Sequence, residues 1–350
     1  MKSINNLIQG NIYNKINILA NLKETFLKKK DILNMRNLDH YNRVNIASKY
    51  IYNEMPIRFS KRIKELEKFP FDINQHSEIN KIRNWYCKSL EDILSLPYPK
   101  NNYNDIYNCV TEIVSRHSYT LNTVAKGIYE MKKVNENIYN DYYLNNFLND
   151  FYKNRTRTRT LLLNYLGYHK HNDNFIGNIK INCNIKELIQ NSIHDLEDIS
   201  YQNKLNIPEI ELNIEPTSFS YIDDYLYYSI LEILKNSVKA INDKNINGKI
   251  NITSYNDNNI YILKISDNGI GIQNNILDKI WNFGYTTTDL DINNYNKEKV
   301  IINPISGFGY GLPLSKIYLK LFQGNIHLFS EYNIGTDVYI FIDLKNDWYL

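Results

Sequence analysis

Three glycines at alternate positions, Gly307, Gly309 and Gly311, stand directly before an apolar helical pattern of Leu314, Ile317, Tyr318, Leu321 and Phe322. Closely spaced glycines let a backbone approach a ligand and adopt positive φ. A helix that starts there directs free N–H groups and the positive end of its dipole into the loop. A phosphate group is the ligand that fits. Upstream, Glu232, Asn236 and Lys239 fall within about 60° of arc on a predicted helix, opposite the stripe Leu226, Ile230, Ile233, Leu234 and Ile241. Taken alone, such a face is also what an ordinary solvated helix presents. Between these segments, Asp267-Asn268-Gly269-Ile270-Gly271 closes an apolar run over 260–266. A carboxylate at a strand end can accept a hydrogen bond from an adenine amino group, and the glycines let the chain turn against the base. A simple turn is the competing reading of that pentapeptide. Gly335-Thr336 opens the last predicted strand, where the Thr hydroxyl can add to a polar wall.

The elements that must position these groups are legible from periodicity. Residues 40–69 carry Val44, Ala47, Ile51, Met55, Phe59, Ile63 and Leu66 close to a 3.6-residue period, with Pro56 as an expected break or kink. Similar stripes cover 78–95, 103–133 and 139–167, and residues 15–33 can form a first helix. Four long amphipathic segments with short connections predict a helical bundle over 12–169. After a polar stretch at 169–177 the pattern changes to short strands near 179–183, 249–255, 260–266, 325–330 and 336–343. Helices are expected near 185–200, 222–243, 274–280 and 311–323. Helices packed on a mixed sheet make the second domain, 175–346, an α/β sandwich, so the fold class is α+β in two domains.

Composition narrows the classes of function. The chain has 350 residues, 43% hydrophobic, with 41 basic and 38 acidic side chains. That balance gives no electrostatic case for nucleic acid as the main partner. No apolar run approaches the roughly 20 residues that span a bilayer, so no membrane role is expected. Cys87, Cys109 and Cys183 are far apart, with neither metal-ligand spacing nor a disulfide framework, which suits a reducing compartment. The 30 tyrosines and the many Asn, Ile and Lys fit an AT-rich coding bias, so scattered Tyr and Asn carry no meaning here. The first 38 residues hold only Glu24 and Asp31 as acids, a weak likeness to a transit peptide.

The order Glu232-x-x-x-Asn236, Asp267-x-Gly269-x-Gly271, Gly307-x-Gly309-x-Gly311-Leu312 and Gly335-Thr336 resembles the N, G1 and G2 boxes of the ATPases that include Hsp90, type II topoisomerases, MutL and histidine kinases. The resemblance implies the Bergerat-type ATP-binding fold. It implies that Asn236 ligates a Mg²⁺ ion bridging the ATP phosphates, and that Asp267 reads the adenine with Gly269, Gly271 and Thr336 around it. Lys239 would lie near the phosphates. Gly307, Phe308, Gly309, Tyr310, Gly311 and Leu312 would form the nucleotide loop, and 284–306 a lid whose Thr286 and Thr287 touch the nucleotide.

The first half points to one branch. Glu54-Met-Pro-Ile-Arg58, Trp85-Tyr86-x-x-Ser89, Arg116-His117, Phe147-Leu-x-x-Phe151-Tyr152-x-x-Arg155-x-x-x-Arg159 and Gly311-Leu-Pro313-x-Ser315 are similar to the mitochondrial pyruvate and branched-chain α-keto acid dehydrogenase kinases. The resemblance implies a Mg-ATP-dependent serine kinase of the E1α subunit in the mitochondrial matrix, with Glu232 as general base. It also implies a homodimer, a dock on the lipoyl domain of E2, and a pocket for an α-keto acid lined by Tyr86, Ser89, His117, Arg155 and Arg159. The chain departs from the pyruvate enzymes at Tyr228, where they carry His, and at Val114, where they carry a further Arg. Pyruvate and branched-chain substrates both stay open. So do a histidine kinase with His117 as phosphoacceptor and an ATP-binding module without transfer activity.

Overall fold

The computed structural model describes residues 11–71, 76–100, 103–134, 141–170, 172–257, 259–287 and 308–350. They form two compact units. One takes in the described residues through Asn178 together with Tyr349–Leu350, and the other runs from Ile179 to Trp348.

The first unit is helical: α1 (Ile12–Ala20), α2 (Lys29–Asn34), α3 (His40–Leu66), α4 (Ser77–Ser95), α5 (Asn104–Arg116), α6 (Thr120–Val134) and α7 (Tyr142–Tyr168), followed by the two-residue strand β1 (Phe175–Ile176). Side chains of Asn11, Asp39 and Asp141 cap α1, α3 and α7 by accepting from backbone N–H groups of Asn14, Asn42 and Leu144. Met55, Phe59 and Ile63 of α3 are buried with Ile82, Tyr86 and Leu90 of α4 and Leu148, Phe151 and Tyr152 of α7. The third predicted segment is interrupted at His117–Tyr119, giving α5 and α6. The Ser118 hydroxyl donates to Ser115 O at 2.7 Å, closing α5, and the chain restarts with Thr120 N donating to His117 O at 3.3 Å. Residues 15–33 are two helices rather than one, with an irregular stretch between them. The expected break at Pro56 does not occur: α3 runs through it, and Pro56 is buried within the helix.

The second unit contains β2 (Ile179–Asn184), α8 (Ile185–Gln202), β3 (Glu209–Asn213), β4 (Ser218–Tyr221), α9 (Asp223–Lys244), β5 (Lys249–Asn256), β6 (Ile260–Asp267), α10 (Gly311–Leu321), β7 (Gly324–Glu331) and β8 (Gly335–Asp343). A five-stranded sheet has the order β3-β5-β6-β8-β7, parallel only between β3 and β5, while β2 and β4 pair antiparallel. Alternate residues Ile250, Ile252, Leu263, Ile265, Val338 and Ile340 are buried, and α9 packs against α8 and α10. The expected helix at 274–280 consists of two single 3₁₀ turns, Asn274–Ile276 and Lys279–Trp281.

Candidate active site

Helix α9 carries the acid–amide face. Glu232 is only 6% exposed, so the solvated-face reading fails for it. Its carboxylate forms an ion pair with Lys235, one turn along the same helix, and both side chains are nearly buried. Its other oxygen lies against the start of α10: a Cβ built on Gly311 would collide with Glu232 Oε2 and sit 3.0 Å from Cδ. The buried carboxylate therefore faces the N-terminal turn of α10, where the helix dipole favours negative charge. Asn236, four residues on, is exposed on the same face, and Lys239 is half-buried.

The loop before α10 is built for close approach. Gly309 has φ of +74°, and a Cβ there would strike the backbone carbonyl of Tyr285. Gly284 N donates to Gly309 O at 3.1 Å, and the buried rings of Tyr310 and Phe283 meet at 5.5 Å. Segment 283–285 is thereby tied to the glycine loop, next to half-buried Thr286 and exposed Thr287. Phe308 is buried and Leu312 half-buried. Leu314 N donates to Tyr310 O at 3.0 Å and closes the first turn of α10. Pro313 has no N–H to satisfy there, while Gly311 and Leu312 present first-turn N–H groups with no intrahelical acceptor. Gly307 and residues 288–306 of the predicted lid lie outside the described residues.

Asp267 ends β6. Strand register sets it opposite Thr336, which is 8% exposed. Ser237 Oγ donates to Asp267 Oδ2 at 2.8 Å, and Gly269 N to Oδ1 at 2.9 Å. The turn through Gly269 and Gly271 is held to α9 by Ile270 N donating to Ala240 O at 2.9 Å. Thr336 Oγ1 shares a 2.8 Å hydrogen bond with Ser330 Oγ. Burial raises the Asp267 carboxyl above the ordinary aspartate value; Ser237, Gly269 N–H and Thr336 N–H oppose that rise, and the charge of Asp337 adds to it. Glu232, Asn236 and Lys239 thus share one helix with Ser237, which reaches the strand end carrying Asp267. Sequence reasoning missed Lys235, Ser237 and Ser330. The (i, i+3) spacing from Glu232 was a usable signal for Lys235; Ser330 had none.

The helical unit gathers a second polar cluster. His117 is 7% exposed, with its ring 4.4 Å from that of Tyr86 and stacked on Phe59 at 6.3 Å. Its Nε2 meets Ser89 Oγ at 3.0 Å, and its Nδ1 is buried without a hydrogen-bond partner. Arg155 donates to His117 O at 3.1 Å, and Arg159 to Val114 O at 3.4 Å. All five residues expected in this pocket come together. Arg116 joins them unpredicted, donating to Ser89 Oγ at 2.8 Å and to Asp92 at 2.7 Å.

Burial, with Arg155, Arg116 and Arg159 alongside, lowers the His117 pKa from 6.5 to about 3. The unfolded chain therefore takes up a proton near 6.5 that the folded chain refuses, so stability is lost as pH falls through that window. Relative to about pH 7.5, the penalty attributable to this histidine is about 2 kcal/mol by about pH 5. Urea unfolding of wild type and His117→Gln checks this: the variant's stability should fall less between the two pH values, and parallel pH slopes refute it.

A family model described as mitochondrial branched-chain alpha-ketoacid dehydrogenase kinase matches residues 27–180. A second, described as histidine kinase-, DNA gyrase B- and HSP90-like ATPase, matches residues 222–346. A mitochondrial pyruvate dehydrogenase (acetyl-transferring) kinase isozyme 4 from Rhinolophus ferrumequinum is 28% identical over 322 residues, covering 85% of this chain and 76% of the relative. The mitochondrial pyruvate dehydrogenase (acetyl-transferring) kinase of Arabidopsis thaliana is 26% identical over 314 residues, covering 86% of each chain. Isozyme 1 from Homo sapiens is 27% identical over 350 residues, covering 89% of this chain and 76% of the relative. The buried Glu232 with Asn236 on one helix face, the Asp267 turn and the glycine loop occupy the span of the ATPase model. The His117 cluster lies in the span of the kinase model, and over both spans the chain is similar to the mitochondrial 2-oxo acid dehydrogenase kinases.

Proposed function

We propose that this protein is a mitochondrial, ATP-dependent protein-serine kinase that phosphorylates the E1α subunit of a 2-oxo acid dehydrogenase complex in the matrix and so inactivates it. The observation that carries the reading is the Glu232 carboxylate, buried yet set against the first turn of the helix that follows the glycine loop. The donor set fits a magnesium nucleotide. Asn236 offers an exposed amide oxygen to a hard cation, and the first turn of α10 offers N–H groups to phosphates. When bound, Mg²⁺ neutralises phosphate charge as the phosphoryl group moves.

In this reading Glu232 accepts the proton of the substrate serine hydroxyl, and Lys235 holds the carboxylate in place. The α10 dipole and Lys239 stabilise negative charge on the phosphates. Asp267 and Thr336 orient the adenine, which fixes where the γ-phosphate lies relative to Glu232. Thr286 and Thr287 are the described start of a lid that contacts the nucleotide.

The cluster of Tyr86, Ser89, His117, Arg155 and Arg159 is proposed as the effector pocket, binding the carboxylate of a small α-keto acid. Buried His117 Nδ1 and Arg155 Nε, both without a partner, support a polar occupant. The family resemblance extends the proposal to a homodimer docked on the lipoyl domain of E2. A histidine-kinase role is disfavoured because the His117 ring is enclosed between Tyr86 and Phe59, with Nε2 hydrogen-bonded to Ser89.

The deciding experiment incubates the purified chain and Mg-ATP with E1α from the pyruvate complex and, separately, from the branched-chain complex, and maps phosphoserine by mass spectrometry. Both are needed because the helical family model bears the branched-chain name and the relatives the pyruvate name. Phosphoserine on either E1α supports the proposal and names the complex. ATP binding without transfer to either would replace it with the binding-module reading.

A further inference from the structure

We propose that Ser237 is a positioning residue that sets nucleobase specificity: its hydroxyl hydrogen holds Asp267 as a pure hydrogen-bond acceptor, the form that selects a 6-amino purine and rejects a 6-oxo purine. The inference rests on the reading of Asp267 as the base-recognising carboxylate.

Ser237 behaves unlike Ser192, Ser229 and Ser315, three further buried serines on the helices of this unit. Ser192, Ser229 and Ser315 each donate to the carbonyl four residues back in their own helix, at 2.9, 2.8 and 2.8 Å. That is the usual fate of a serine inside a helix. Ser237 is 3% exposed but donates across to Asp267 Oδ2 instead. With Gly269 N–H on Oδ1, each carboxylate oxygen has its own donor and the plane of the carboxylate is fixed.

The chemistry follows from the donor inventory. An ionised carboxylate only accepts, whereas a protonated carboxyl also offers one O–H. The 6-amino group of adenine donates, and the 6-oxo group of hypoxanthine or guanine accepts. The protonation state of Asp267 is therefore a choice between the two classes of purine. Burial pushes towards the protonated form, and Asp337 on β8 pushes the same way. Lys244 of α9 is bound to the carbonyls of Asn268 and Ile334. Lys264 on β6 is paired with Asp337 at 2.8 Å. On the helix side the hydroxyl of Ser237 is what opposes protonation of Oδ2. Removing it leaves that oxygen free to take a proton and turn donor.

The test measures dissociation constants of Mg-ATP and Mg-ITP by titration calorimetry on the full chain, ITP differing at the 6-position. The variants are Ser237→Ala, Ser237→Cys, Ser237→Thr and Asp267→Asn. Wild type should favour ATP by roughly 10- to 100-fold, the range of one mismatched polar contact in a recognition site. Ser237→Ala should lower the ATP/ITP affinity ratio about tenfold. Ser237→Thr, which keeps the hydroxyl, should restore it. Ser237→Cys, with a weak donor of similar size, should behave like Ala and serves if the Ala variant does not fold. A purely structural serine would weaken both nucleotides equally, so an unchanged ratio in Ala and Cys overturns the proposal. An Asp267→Asn variant with wild-type affinities and ratio overturns the underlying reading of Asp267. Loss of ATP preference in Asp267→Asn alone overturns only the role of Ser237.

Discussion

Glu232→Gln is expected to lower phosphoryl transfer to E1α by roughly 10²- to 10⁴-fold, the range that a positioned general base contributes. ATP affinity should change little, because glutamine keeps the shape of the side chain beside α10. Gln also keeps one oxygen able to accept from Lys235, so the amine is not left without an acceptor; what is lost is the charge of a nearly buried pair. Single-turnover transfer and nucleotide titration on the same preparation separate the two effects. A variant that transfers at the wild-type rate would remove Glu232 from the chemistry. One that no longer binds ATP would make the carboxylate a structural support of the glycine loop.

The parts of this site written in contiguous motifs were legible. Glu232 and Asn236 declare themselves by helical spacing, Asp267 by its place at a strand end, and the glycine loop by the apolar helix behind it. Glu232 and Asn236 lie midway along α9, while Asp267 ends β6 and the glycine loop opens α10; packing these helices on the sheet is what brings the three together. The supporting contacts were hidden for a physical reason. Whether Ser237 meets Asp267 depends on the rotation of α9 over β6 and on the β6–β8 register, which no local pattern encodes. In the helical unit, the break at His117–Tyr119 was masked because Ile113, Leu121 and Val124 keep an apolar spacing across it. Edge strand β3 escaped because Glu209–Asn213 is mostly exposed, and β4 because four residues are too few for a period. Pro56 misled in the other direction: the packing of α3, buried along most of its central turns, overrides the loss of one helix hydrogen bond.

Gly311→Ala separates activity from stability most cleanly. Gly311 does not adopt positive φ, so alanine meets no backbone strain there; as the first residue of α10 it lies outside the helix interior, where alanine's advantage over glycine applies. The obstacle is space. The new Cβ would collide with Glu232 Oε2, with Cγ only 3.4 Å away. Relief requires either rotation of Glu232 away from its pair with Lys235 or a shift of the first turn of α10, which moves the N–H groups proposed to face the phosphates. With Glu232 as the proposed base, both displace it from the phosphoryl group, and a misplacement near 1 Å can cost about 10²-fold in rate. The expected result is transfer reduced by roughly 100-fold or more, with unfolding free energy within about 1 kcal/mol of wild type. Gly309→Ala is the contrasting control. Its φ of +74° and the Tyr285 carbonyl in the path of a Cβ should make that variant lose stability as well as activity. Thermal unfolding and single-turnover transfer on the two proteins decide the matter: Gly311→Ala with an intact rate would mean that the Glu232 carboxylate does not have to stay where the helix start now holds it.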